Sequence, residues 1–229
     1  MPETNSDSNS AWRHAPKVKA WEQSLRDAGC SLESLKPLNI LNKRHGNNDE
    51  LLFALVEAKG GDAEGNPLLP YALLRGPACV VIPVCRHLGT GEKRFLMIRQ
   101  RRIGHGHLSL EFPAGMLDGD LHNPMETAVR ELEEETGLRI EASALKPLWN
   151  RSLYSSPGLS DESIYFYTVA IDLDAETWNA LEGGESGHAH EGEYITTTLK
   201  TFAEASMEIT STQPLMGFLL YHQMHGELR

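Results

Sequence analysis

The stretch from Gly115 to Leu138, GMLDGDLHNPMETAVRELEEETGL, constrains this chain more than any other. It reads as a loop feeding a short helix. Asn123 suits the N-cap, Pro124 the first helical position, and Glu126 the place of a capping-box carboxylate. Met125, Val129 and Leu132 recur at helical spacing and predict the buried side. Gly137 is a natural stop. The charges oppose this helix. Glu133, Glu134 and Glu135 occupy its last turn, where the macrodipole disfavours anions by roughly 0.3–1 kcal/mol each. Glu131 lies one turn earlier on the face of Glu134 and Glu135, and like charges so placed repel by roughly 0.2–0.5 kcal/mol per pair. Arg130 can bridge Glu126 and Glu134 but cannot neutralise the set. Runs of this kind are usually solvated faces. A hard divalent cation, Mg²⁺ or Mn²⁺, would neutralise it, because such ions take carboxylate oxygens and bridge to substrate phosphates.

The full pattern resembles the Nudix box, a glycine-containing loop followed by Arg-Glu-apolar-x-Glu-Glu-x-Gly-apolar on a helix. Arg130, Glu131, Leu132, Glu134, Glu135, Gly137 and Leu138 fill the helical half, and Ala114-Gly115 fits the start of the loop. The loop is one residue longer than the usual spacing, and His122 stands roughly where the family has a loop glutamate. The resemblance implies a Nudix-type α/β/α sandwich built on a mixed sheet. It also implies metal-dependent hydrolysis of a nucleoside diphosphate linked to another group.

A chain of 229 residues can bury one core, or one core plus a small accessory unit. Its net charge of −11 argues against a nucleic-acid partner, whose phosphates are neutralised by Lys and Arg. A small anionic substrate requires only a local basic pocket. Cys30, Cys79 and Cys85 are odd in number, lack metal-ligand spacing, and read as reduced thiols of a cytoplasmic protein. No apolar run is long enough to span a bilayer, so no membrane partner is expected. The polar N-terminus lacks a signal-peptide core, and residues 1–14 read as a disordered lead.

Residues 15–28 carry a Val18-Trp21-Leu25 stripe and predict a helix. Strands are expected at 35–42 and 51–58, joined through His45-Gly46-Asn47-Asn48, with a third at 68–74. Residues 15–75 thus form a small N-terminal antiparallel β accessory or dimerisation unit, and 76–229 the catalytic domain. In the latter, strands are expected at 78–85, 94–100, 108–112, 145–153, 163–171 and 194–199. Helical segments are expected at 175–181, 201–207 and 213–224. Residues 182–192 read as a polar loop. His105-x-His107 and His188-x-His190, with His122, have no cysteine partners and read as loop histidines rather than a zinc site.

By resemblance, Glu131 and Glu135 are the metal ligands, Glu134 a ligand or close catalytic support, and the Ala114 carbonyl a further ligand. The water-orienting base is expected on a late loop, where Glu191-Gly192-Glu193 fits: Glu193 as base, Glu191 as its backup. Arg102, with Arg101 and Arg99, suits substrate phosphates, because Arg pairs bidentately with phosphate oxygens. Glu111, before Phe112-Pro113-Ala114-Gly115, is expected near the metal.

The runs ALLRGPA (72–78), IRQRR (98–102) and LEFPAGMLD (110–118) resemble the ADP-ribose and ADP-sugar diphosphatase branch, notably its plant-type members. The implied substrate is ADP-ribose or ADP-glucose, yielding AMP and a sugar 1- or 5-phosphate, in a homodimer formed through the N-terminal unit. Trp21, Phe53 and Tyr71 are candidates to stack on the adenine. The alternatives are another nucleotide sugar such as GDP-mannose, or a non-catalytic nucleotide-binding module of the same fold. Such modules usually lose box carboxylates, and all three stand here.

Overall fold

The computed structural model describes residues 11–45, 48–117, 121–186 and 194–226. The chain divides into two compact units. The first comprises residues 1–78, 116–123 and 153–164, and the second 79–115, 124–152 and 165–229.

In the first unit, Trp12–His14 form a 3-10 turn, and Trp12 is buried rather than part of the expected lead. Helix α1 (Pro16–Asp27) follows, with Pro16 at its first position and Gly29 in the left-handed region just beyond it. Strands β1 (Ser31–His45) and β2 (Asn48–Gly61) form a hairpin much longer than the expected 35–42 and 51–58. The added length is polar apart from Leu32 and two glycines, and the backbone ladder continues where the apolar pattern that betrays a strand has stopped. Strand β3 (Tyr71–Leu74) completes a three-stranded antiparallel sheet, shorter than the expected 68–74. Val18, Leu35, Leu51, Ala54, Val56 and Leu74 close its core.

The segment 153–164 is tied to β3. Leu73 N–H donates to Leu159 O at 2.8 Å, and the Asp161 carboxylate accepts Arg75 N–H at 2.6 Å and Gly76 N–H at 3.0 Å. Arg75 also pairs with Glu162 at 2.9 Å. Burial pushes the Asp161 carboxyl above its ordinary value, against the pull of those two amides.

The principal sheet is mixed. Its strands are β4 (Ala78–His87), β5 (Lys93–Arg101), β6 (Leu108–Glu111), β7 (Ala114–Met116), β8 (Lys146–Pro147), β9 (Leu153–Tyr154), β10 (Ser163–Leu173), β11 (Glu185–Ser186) and β12 (Ile195–Lys200). The spatial order is β11-β12-β5-β4-β10-β8, with β6 on β5, β7 on β4 and β9 on β10. The expected single strand at 145–153 is instead two short pieces, β8 and β9, because residues 149–151 bend away from the ladder.

The helices are α2 (Pro124–Thr136), α3 (Ala175–Leu181), α4 (Phe202–Ser206) and α5 (Thr212–His225). They cover both faces of the sheet, as expected for an α/β/α sandwich. Adjacent residues of a strand point to opposite faces. Phe95 meets Phe218 and Tyr221 of α5, whereas its neighbour Leu96 packs with Trp178 and Leu181 of α3. Gly217 lets α5 approach closely: a Cβ there would lie 3.0 Å from the Phe112 ring and 3.2 Å from Ile82. No described helix is long and apolar enough to cross a membrane.

Candidate active site

Helix α2 buries only part of the side that its large apolar residues predict. Thr127, Ala128, Leu132, Glu135 and Thr136 are buried, while Met125 and Val129 are only partly so. The buried stripe therefore runs Ala128-Leu132-Glu135 and ends on a carboxylate. Gly137 terminates the helix in the left-handed region, its N–H reaching Glu133 O at 2.8 Å.

Two features join this helix to β7. Glu135 is 6% exposed, and its Oε2 accepts the Ala114 N–H at 2.9 Å. Glu131 lies against Gly115 so closely that a Cβ there would fall 2.0 Å from its carboxyl carbon and 2.3 Å from Oε1. Glycine at 115 is thus required by the Glu131 side chain rather than by backbone angles. Arg130 pairs with Glu131 at 2.9 Å and with Glu134 at 3.2 Å, and Arg139 takes Glu133 at 2.6 Å. Glu134 is more exposed than Glu131, with a third of its side chain open against 15%.

The carboxylates of Glu131 and Glu135 are hard oxygen donors, a type that suits Mg²⁺ or Mn²⁺ rather than a thiolate-seeking metal. The nearby Cys79 does not alter that preference. Burial, and then the Glu131 charge, push its thiol up to about 12, and its Sγ lies 3.6 Å from Gly115 O. Among the described residues, no three His, Cys, Asp or Glu side chains are placed together so as to hold a metal ion. A Mg²⁺ site of the usual kind needs no such trio, since that ion keeps waters and takes one or two carboxylates with substrate phosphates.

The three arginines expected to meet the substrate have different partners. Arg102 pairs bidentately with Glu111 of β6, Nη2 to Oε2 at 2.7 Å and Nε to Oε1 at 3.0 Å. Burial pushes the Glu111 carboxyl up, but the Arg102 hydrogen bonds and charge outweigh it and hold it below its ordinary value. Arg101 donates to Gly106 O at 2.7 Å and secures the turn after β5. Arg99 pairs with Glu208 at 2.7 Å, and Glu208 also takes Lys200 at 2.8 Å.

His105 and His107 stack with ring centroids 5.8 Å apart. Glu191 and Glu193, like His188 and His190, lie outside the described residues. Of the candidate stacking aromatics, Trp21 packs on the N-terminal core and Tyr71 is half-exposed.

Sequence reasoning missed the burial of Glu135 and the fit of Glu131 against Gly115. The first was legible in principle, because residues 128, 132 and 135 follow helical spacing once a carboxylate is admitted to the buried face. The second was not, because it depends on the approach of β7 to α2.

The chain is 32% identical to "Nudix hydrolase 14, chloroplastic" of Arabidopsis thaliana over 89% of its own length. It is 36% identical to the "ADP-sugar pyrophosphatase" of Mus musculus over 42% of its length. It spans 66% of the first relative and 42% of the second. The solved structure of an "ADP compounds hydrolase" superposes with a TM-score of 0.54 at 15% identity, covering 85% of this chain and 95% of that one, and so shares the fold. The NUDIX domain profile matches residues 76–199, more than half of the chain, with the acidic helix and its glycine turn inside that span: the chain belongs to the Nudix family.

Proposed function

We propose that this protein hydrolyses the diphosphate bond of a nucleoside diphosphate sugar, ADP-ribose or ADP-glucose, to AMP and a sugar 1- or 5-phosphate, using Mg²⁺ or Mn²⁺. The observation that carries the reading is the packing of Glu131 and Glu135 against the Ala114-Gly115 turn. The name of the mouse relative, an ADP-sugar pyrophosphatase, supports the substrate class.

Glu131 and Glu135 would hold the ion, with Glu134 and the Ala114 carbonyl as further donors. A bound divalent ion supplies polarisation of the phosphoryl oxygens and an acidified water. Gly115 keeps clear the space that the Glu131 carboxylate needs. Arg102 is positioned to exchange part of its pairing with Glu111 for a substrate phosphate, an exchange its bidentate fork permits. Arg101 and Arg99, the other arginines assigned to the substrate, rest on Gly106 O and Glu208.

The reaction forms one P–O bond from water and breaks one bridging P–O bond. The water proton passes to a carboxylate base, assigned to Glu193 with Glu191 in reserve, and the leaving phosphate departs as an anion. A homodimer through the N-terminal unit is part of the proposal, supported by the exposed apolar side chains Leu38, Leu41 and Tyr71. So is a cytoplasmic setting, in keeping with three free cysteines.

The test is a panel of nucleotide diphosphate sugars assayed for AMP and sugar phosphate with and without Mg²⁺. Metal-dependent release from ADP-ribose or ADP-glucose is expected. Preference for GDP-mannose would move the substrate, and absence of turnover on every member would overturn the assignment. Glu193→Gln is expected to lower kcat with little change in KM, and an unchanged kcat would remove Glu193 from its role.

A further inference from the structure

The face of the sheet under α5 carries a cavity of about 620 Å³ that the diphosphatase reading does not use. Cavities of roughly 300–1,000 Å³ are the usual size for small-molecule sites. This one lies within the second unit. Along β4, Ile82, Val84 and Arg86 share a face, and α5 covers it at Ile82. Further along the strand the cover ends and the cavity opens over Val84, with Thr168 and Ala170 of β10 beside it. The neighbouring β4 residue Cys85 points to the opposite face, where it packs with Trp178 of α3.

The walls differ in kind. Tyr221 and His225 of α5 stand on one side, with ring centroids 4.4 Å apart and planes 29° from parallel. Arg86, Lys93 and Lys146 are the cations of the rim, against a single carboxylate, Asp172. Asp172 is already taken by Arg86, whose Nε donates to it at 2.7 Å. Arg86 and Lys93 are direct cross-strand partners, a like-charge placement that destabilises a sheet when nothing binds between the two. Among the described residues, no carboxylate pairs with Lys93 or Lys146. In a chain of net charge −11, this is a local excess of positive charge over a small apolar floor beside an aromatic wall.

We propose that this cavity is a second ligand site, distinct from the carboxylate site on α2, for a planar aromatic ring bearing a phosphate-sized anion: the build of a nucleoside monophosphate. The ring lies on the Val84–Ala170 floor against Tyr221, and the anion meets Lys93 at the β5 edge of that floor, with Lys146 across it adding to the positive field. The inference does not depend on which substrate the carboxylate site cleaves.

The experiment titrates AMP into the full-length protein without divalent metal and follows backbone amide correlation spectra. Shifts at Val84, Ala170 and Tyr221 are expected, saturating together and weakening with added salt. The double substitution Lys93→Glu/Lys146→Glu is expected to weaken binding read at those amides by at least about tenfold, while leaving kcat and KM on the nucleotide sugar within about twofold. Inorganic phosphate and adenosine, tested separately, are each expected to bind more weakly than AMP. Should the double variant fold poorly, Lys146→Gln carries the same test with a smaller change.

The proposal is overturned if millimolar AMP leaves those three amides unmoved, if its effect on them survives loss of the lysines, or if only amides around Ala114 and Glu131 respond. Phosphate binding as tightly as AMP overturns the aromatic part. None of these outcomes bears on turnover of the substrate panel, so the two readings fail separately.

Discussion

Glu22 and Glu135 are equally buried, each 6% exposed and each on the inner side of a helix, yet they keep different company. Glu22, on α1, is ringed by cations: Arg13 at 3.3 Å, Lys19 at 3.4 Å and Arg26 at 4.0 Å. Glu135, on α2, accepts a backbone amide and shares one turn of helix with Glu131 and Glu134. Burying a carboxylate is costly unless its charge is matched. At Glu22 the match is complete within the unit and the residue serves the fold. Around Glu135 the neighbouring carboxylates of Glu131 and Glu134 share one cation, Arg130, beside the glycine turn. Equal burial thus goes with different surroundings: three cations about one acid, and one arginine shared by the acids next to the other.

The largest expected effect comes from exchanging the two acids' fates. Glu135→Gln and Glu131→Gln should each reduce metal-dependent turnover by at least about a hundredfold, a loss typical of damage to a metal site. Glu22→Gln should leave turnover within about twofold. Its half-exposed cations rehydrate, so it should lose only about 1–2 kcal/mol in urea unfolding. Comparable losses of turnover from both helices would dissolve the contrast.

Gly115→Ala comes next. The added Cβ collides with the far end of the Glu131 side chain, which can swing away, and the backbone at 115 is not in the left-handed region. The fold should survive, with a thermal midpoint lowered by only a few degrees, about 1 kcal/mol for a chain of this size. Metal affinity measured by calorimetry should fall by about ten- to a hundredfold. A variant with unchanged affinity would show that Glu131 does not need that position.

Arg102→Gln sharpens the comparison from the other side, because Glu111 resembles Glu22 in having its own cation. The Glu111 carboxyl is held below its ordinary value in the folded state. Its pairing therefore stabilises the protein above the unfolded carboxylate range and is lost as pH falls through the folded value. Arg102 is 42% exposed, so the loss at pH 7 should be modest, about 1 kcal/mol by urea unfolding, and should vanish near pH 3. KM for the nucleotide sugar should rise as well. An equal stability loss at both pH values would mean that Arg102 acts by packing alone.

The smallest effect concerns Asp161, whose carboxyl is raised by burial. A raised acid destabilises the folded state once it must ionise, so its contribution improves on acidification. Asp161→Asn keeps an oxygen for the Arg75 and Gly76 amides without the charge. It should be neutral or stabilising by up to about 1 kcal/mol at pH 7, whereas Asp161→Ala should cost about 1–3 kcal/mol by orphaning two donors. Chemical unfolding of the pair checks both.

Much of this was legible in residue order. The glycine turn, the acidic helix and its stop at Gly137 follow from local chemistry, as do the apolar strands from Ala78 to Gln100. Elsewhere the local signal misled. The hairpin of β1 and β2 runs beyond its apolar pattern, because inter-strand hydrogen bonds do not require apolar side chains. The segment 145–153 has strand-like composition but bends, since β8 finds only two partners on β10. Of the arginines expected to meet phosphate, Arg99 and Arg101 share a face of β5 yet reach Glu208 and Gly106 O, while Arg102 in the turn that follows pairs with Glu111.

The sequence by itself determined which acids could meet a metal, because three glutamates within one helical turn share a face whatever surrounds them. Only tertiary structure decided that Glu135 goes inward and Glu131 presses on Gly115. Those outcomes depend on how closely β7 approaches α2, a distance set by packing of the whole sheet and by no residue's local preference. The same holds for the cavity beside α5. Lys93 and Lys146 are separated by more than fifty residues, and only the strand order β8-β10-β4-β5 sets them on opposite sides of one apolar floor.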